Sequence, residues 1–237
     1  EGVGAEIVEV PYAEHDGVLV NDLPALAAAA NAHQAALVYL ANPDNPTGTF
    51  HPRDAVASLR AALADDTLLL LDEAYVDFCA AAERQGVLAN TVRLRTLSKA
   101  HGLAGLRVGY AIAPEEWISK ADQIRTQFAV SSFAQAAAVA VLDAPHCADT
   151  IIRDTCRLRE QLHAALAGGG RRVLPSHTNF VCIVYPDADS ALQRQKALLQ
   201  QGIAVHRPPH PAMQHILRVT AHPDACQDST IAVLLPG

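Results

Sequence analysis

Short apolar runs alternate with helix-length amphipathic stretches through the first 150 residues of the chain. Ile7 to Val10, Ala36 to Leu40, Leu68 to Leu71, Thr91 to Leu94 and Val108 to Ile112 each read as a strand. Between them Leu23 to Ala36, Arg53 to Ala64 and Trp117 to Val141 read as helices. The first of these has Asp22 placed as N-cap and Pro24 in its opening turn. Strands that are apolar throughout are covered on both faces. The pattern therefore predicts an α/β fold whose mostly parallel sheet is flanked by helices.

Beyond a long helix, Cys147 to Leu166, and the glycines Gly168, Gly169 and Gly170, the rhythm changes. Short strands at Val173–Leu174, Phe180–Val184, Ile203–Val205 and Ile216–Thr220, with one helix from about Asp189 to Gln200, predict a small α+β domain. The expected organisation is a large domain over 1–150 and a small C-terminal domain over 151–237, with the boundary inside the long helix.

Composition narrows the function classes. Half the 237 residues are hydrophobic and 18% are charged, which suits a globular protein with a full core. A net charge of −7 argues against nucleic-acid binding, which needs a basic face. No apolar run approaches the ~18 residues that span a bilayer. Five cysteines without a CxxC spacing speak against disulfides and zinc and for a reducing, cytoplasmic setting. The eleven histidines show no metal-ligand spacing, and prolines separate His206 from His210.

The chemistry sits just beyond the predicted strand ends, where ligands bind in such sheets. Asn42-Pro43-Asp44-Asn45-Pro46-Thr47-Gly48 follows the second strand, and Asp72-Glu73-Ala74-Tyr75 ends the third. Thr96-Leu97-Ser98-Lys99 follows the fourth, and Arg107 lies eight positions after Lys99 across a glycine-containing bend. An amide, an acid, a phenol, a reactive amine and a phosphate-binding cluster thus come in order, which is equipment for holding pyridoxal phosphate. Asp72 at the end of an apolar strand is an expensive carboxylate without a cationic partner. Glu73 reads as a turn or capping residue.

These stretches resemble the fold-type I pyridoxal-phosphate aminotransferases, and most closely the histidinol-phosphate aminotransferase family. The resemblance also draws on Arg95 to Ala100, Arg107-Val108-Gly109-Tyr110, Thr178-Asn179-Phe180 and Leu217-Arg218-Val219-Thr220, so it covers nearly the whole chain. It implies that Lys99 anchors the cofactor and moves the substrate's α-proton, and that Asp72 faces the pyridine nitrogen. It also implies that Tyr75 and Asn45 face the phenolic oxygen, and that Thr96, Ser98 and Arg107 hold the phosphate. Arg218, Asn45 and Arg207 are the implied substrate contacts. The expected reaction is transamination between histidinol phosphate and 2-oxoglutarate, with glutamate as amino donor, in a homodimer.

Three other outcomes stand beside it: an aromatic amino-acid aminotransferase, a phosphothreonine decarboxylase on the same scaffold, and an inactive N-terminally truncated fragment. The family's N-terminal phosphate loop, ring-stacking aromatic residue and substrate-closing arm have no counterpart in this sequence, and its C-terminal glycine-threonine stretch and final helix are not expected after Thr220. His206 stands where the family has an arginine, with Arg207 one position later.

Overall fold

The computed structural model describes residues 4–80 and 86–235. Three sheets are present among them. A four-stranded sheet has the order β3 (Leu37–Ala41), β4 (Leu68–Asp72), β5 (Thr91–Thr96), β6 (Gly109–Ile112). The first three strands run parallel and β6 is antiparallel, so the sheet is mixed, with its parallel part as the pattern predicts. The reversal arises because the chain turns back from β5 through the Lys99 loop, with only the short 3₁₀ turn Ala104–Leu106 between, too little chain for a crossover.

Helices α1 (Leu23–Ala32) and α2 (Arg53–Ala62) cover one face of this sheet. Their apolar positions Leu23, Ala27, Val56 and Leu59 meet Val38, Leu40, Leu69 and Leu71 in one core cluster. The Asp22 carboxylate caps α1 by accepting from the Ala25 amide at 2.9 Å. Helix α1 stops at Ala32, short of the expected Ala36, because Gln34 takes a left-handed conformation (φ 49°).

A second, antiparallel sheet is formed by β7 (Arg172–Leu174), β8 (Phe180–Val184) and β9 (Ile216–Thr220). All five residues of β8 are buried, because both faces are covered. Helices α5 (Pro145–Gly168), α6 (Ala188–Gln200) and α7 (Asp228–Leu234) pack on one face through Leu162, Leu166, Leu198 and Leu234. The hairpin β1 (Tyr12–His15) and β2 (Val18–Asn21) lends Tyr12 and Leu19 to the other. Helix α5 also turns Ile152 and Cys156 toward Tyr75, Phe78, Ala100 and Phe180, so it joins the two sheets.

Several expectations are corrected. Ile7 to Val10 forms no strand; Ile7 and Val8 are exposed, and among the described residues no strand takes up their backbone groups. The nearby hairpin turns at Asp16-Gly17, both at positive φ, the Asp-Gly signal that fixes a two-residue turn. The helix expected over 117–141 is two: α3 (Glu115–Ile124) and α4 (Ser132–Leu142). Ser131 starts the second by accepting from the Ala134 amide, and this side-chain cap outcompetes helix continuation. Ile203 to Val205 is not a strand; only His206, just after it, bridges to Arg218. A final helix, α7, is present although none was expected. None of the five cysteines is in a disulfide, and among the described residues no helix is long and apolar enough to cross a membrane.

Candidate active site

The carboxyl ends of β3, β4 and β5 lie side by side, in a register that pairs Ala41 with Asp72 and Asp72 with Leu94. Parallel strands thereby deliver three loops to one edge of the sheet. A cleft of about 310 Å³ opens there, lined by Asp72, Thr96, Ser98, Lys99 and Arg107, together with Arg95. Two larger hollows of about 620 and 730 Å³, beside Trp117 and between the hairpin and α1, contain none of the candidate residues. Chemistry, not size, marks the site.

Lys99 stands on a loop folded by its own hydroxyls. Thr96 Oγ1 donates to Ser98 Oγ at 2.8 Å and accepts from the Ser98 amide at 3.1 Å. Leu97 and Ala100 are buried on either side, so the loop is pinned while Lys99 reaches the cleft. The Gly102 amide closes a turn onto the Lys99 carbonyl, with Gly102 at φ 70°. Gly109 is required opposite: a Cβ there would lie 2.5 Å from the Arg95 carbonyl oxygen. Burial holds the Lys99 amine below the usual lysine range, helped by the positive charges of Arg218 and Arg107.

Asp72 accepts from the Ala74 amide at 2.9 Å and from the Tyr39 hydroxyl at 2.8 Å. Tyr39 went unremarked in the sequence; its only signal is its place on β3, two residues before the register partner of Asp72. Tyr75 is buried, and its ring meets Phe180 edge to face with centroids 5.4 Å apart. Lys99 Nζ lies 5.5 Å from the Tyr75 ring centroid, and the Arg218 guanidinium carbon 4.8 Å from that of Phe180. Burial pushes the Tyr75 phenol up, opposed by Arg218.

Asn45 is exposed, and its side-chain oxygen accepts from Arg218 Nη1 at 2.6 Å, across 173 positions of sequence. Arg107, at φ 52°, is exposed and donates to the Ala104 carbonyl at 3.0 Å. Arg207 is not brought to the group; its Nη1 donates to Gln214 Oε1 at 3.1 Å. His206 is the residue that pairs with Arg218, through reciprocal backbone bonds of 3.1 and 2.8 Å. Directly paired residues share a sheet face, so His206 lies on the side of Arg218. Burial and Arg218 hold its imidazole below the usual range.

Asp44 is a second residue that sequence reasoning passed over. Its buried carboxylate accepts from the Tyr12 hydroxyl (3.0 Å), Asn21 Nδ2 (3.1 Å), the Thr47 amide (3.1 Å) and Thr47 Oγ1 (2.6 Å). It holds the loop, entered through a cis Asn42–Pro43 bond, that presents Asn45. Chemically, the cleft offers an amine nucleophile between a carboxylate and an anion-binding set of hydroxyls and guanidinium. Among the described residues, no group of three or more His, Cys, Asp or Glu could hold a metal.

Comparisons with known proteins agree on one lineage. Histidinol-phosphate aminotransferase 2 of Ralstonia nicotianae is 42% identical over 215 residues, covering 86% of this chain and 55% of that protein. An aromatic amino acid aminotransferase of Nocardia farcinica is 41% identical over 187 residues, 75% of this chain and 51% of its own length. The crystal structure of histidinol-phosphate aminotransferase from Sinorhizobium meliloti, in complex with pyridoxal-5'-phosphate, superposes with a TM-score of 0.87 at 34% identity, covering 98% of this chain and 63% of that one. The chain thus spans a little over half the length of the curated relatives it matches. Residues 1–234 match the profile described as Aminotransferase class I and II. The chain belongs to that family, with the fold-type I architecture of its relatives.

Proposed function

We propose that the chain carries the reactive-lysine and carboxylate-binding parts of a pyridoxal-phosphate-dependent aminotransferase. The observation that supports it best is the 310 Å³ cleft in which Lys99 lies among Asp72, Thr96, Ser98 and Arg107. The donor set fits the cofactor: Asp72 suits a protonated ring nitrogen, Tyr75 and Asn45 the phenolic oxygen, and Thr96, Ser98 and Arg107 the phosphate. When bound, the cofactor supplies an amine-condensing aldehyde and an electron-withdrawing ring that stabilises charge on the adjacent carbon.

The chain's own residues do the rest. Lys99 Nζ, with its proton affinity lowered by burial, is the nucleophile and afterwards takes up and returns the substrate's α-proton. Arg218, held by Asn45 and backed by Phe180, receives the substrate carboxylate. On this reading 1–150 supplies the cofactor side and 151–237 the carboxylate side. Histidinol phosphate with 2-oxoglutarate, glutamate being the donor, is the proposed substrate pair, supported by the names of the relatives. An aromatic 2-oxo acid is the second reading, supported by the Nocardia relative at nearly equal identity. A homodimer in a reducing, cytoplasmic setting completes the proposal.

The test is to incubate the chain with pyridoxal phosphate, reduce with borohydride, digest, and read the cofactor mass on each lysine peptide. A label on Lys99 that is lost in Lys99→Ala is the expected result. A label spread over Lys120 and Lys196, or none at all, would overturn it.

A further inference from the structure

Successive residues of a strand face opposite sides, so Asp72 turns to the cleft and Glu73 to the reverse face. Glu73 is 2% exposed, and Oε2 accepts from two arginines of the neighbouring strand: Arg93 Nε at 3.0 Å and Arg95 Nε at 2.7 Å. Arg95 extends further and donates from Nη1 to Asp77 Oδ1 at 3.3 Å. Asp77 lies two residues beyond Tyr75, in a short 3₁₀ turn. Arg95 itself immediately precedes Thr96 and lies four positions before Lys99. One side chain therefore ties the loop bearing the amine to the turn bearing the acid and the phenol. Two arginines and two carboxylates balance in charge, which makes such a buried group tolerable, and each is left unmatched if a partner goes.

We propose that Glu73, acting through Arg95, is a positioning residue that clasps the Asp72–Tyr75 turn against the Thr96–Lys99 loop and so keeps the Lys99 amine in its partly buried place. The proposal rests on Lys99 being the reactive amine of the function above, yet it is tested without cofactor. The groups facing Lys99 are Asp72 from β4, Tyr75 from the following turn, Arg107 at the end of its own loop and Arg218 from β9. None of them changes in the variants, and the two mechanisms predict opposite signs. Removing the Glu73 charge by field alone takes away a negative neighbour and lowers the proton affinity of Lys99. Loosening the clasp admits water and raises it.

The chain has three lysines, Lys99, Lys120 and Lys196, so each can be followed separately. Acetylation by a limiting reagent is measured by mass spectrometry across alkaline pH, for the folded chain and in denaturant. The other two lysines serve as counters of reagent strength. In the folded wild-type chain Lys99 should lose its proton at lower pH than it does in denaturant. In Glu73→Gln its midpoint should rise by about half a unit, roughly a threefold change in protonation constant. Asp77→Asn should raise it less, and Glu73→Asp should restore it in part. A folded Glu73→Gln whose midpoint is unchanged or lowered overturns the clasp. If Glu73→Gln does not fold, the partly exposed Asp77→Asn decides by the same sign. Failure of Lys99 to capture cofactor would count against the proposed function alone, because it leaves the acetylation midpoints as measured.

Discussion

The two sides of the site are built differently. On the lysine side, Asp72, Thr96, Ser98, Lys99 and Arg107 all come from adjacent strand ends of one sheet, tied by short local bonds such as Ser98 to Thr96. On the arginine side, Arg218 comes from a separate sheet and meets Asn45 across 173 residues, with the Phe180 ring beneath its guanidinium. The first depends on strand register, which the buried faces of β3 and β4 fix strongly. The second depends on how the two sheets pack, and that packing is concentrated in Tyr75, Phe78, Ala100 and Phe180.

The difference can be broken from its ends. Lys99→Ala removes the one amine in the cleft, and amino-group transfer should fall by at least ~10⁴-fold, the upper end for a proton-transfer group. Melting should be unaffected, since the hydrogen bond that Lys99 lends the loop, its backbone carbonyl accepting from the Gly102 amide, is kept in alanine. Phe180→Ala strikes the joint between the sides. Phe180 is 1% exposed and touches both Tyr75 and the Arg218 guanidinium. Urea denaturation should show a loss of about 3–5 kcal/mol. A loss under 1 kcal/mol would mean that the two sheets are held together elsewhere. Arg218→Ala should be milder and selective. Losing a charged hydrogen bond of about 1.5–3 kcal/mol raises KM for carboxylate substrates roughly 10–150-fold. Borohydride trapping of cofactor on Lys99 should persist in that variant, and its disappearance would show that the two sides are not separable.

The same contrast explains what could be read from the sequence. Parallel strands β3 and β4 were legible as apolar runs and β5 as a shorter run rich in β-branched residues, and Asn45, Asp72 and Lys99 were legible because they lie at or just beyond the ends of these strands. Contacts across long stretches of chain were not. Asp44 looked like one more turn residue between prolines, and nothing local shows that Tyr12 and Asn21 of a hairpin bind its carboxylate. Glu73 read as a turn residue because its partners, Arg93 and Arg95, become visible only once β4 and β5 are in register. The reversal at β6 has no signature in an apolar run, which looks alike in either direction. The break between α3 and α4 had a signal, Ser131, but the helical pattern on both sides outweighed it.

The smallest expected effect tests the register of the arginine side. Neighbouring residues in extended chain point to opposite sides, so His206 and Arg207 cannot both accompany Arg218. The backbone pairs His206 with Arg218, and Arg207 turns to Gln214, whose side-chain oxygen accepts from it at 3.1 Å. Arg207→Ala should therefore leave KM for both substrates within about twofold, and stability within ~0.5 kcal/mol, as for an ordinary surface change. A tenfold rise in KM for a phosphorylated substrate, with glutamate unaffected, would mean that Arg207 leaves Gln214 when substrate binds. The segment after His206 would then be a moving part of the site, and the arginine side would be completed only by its ligand.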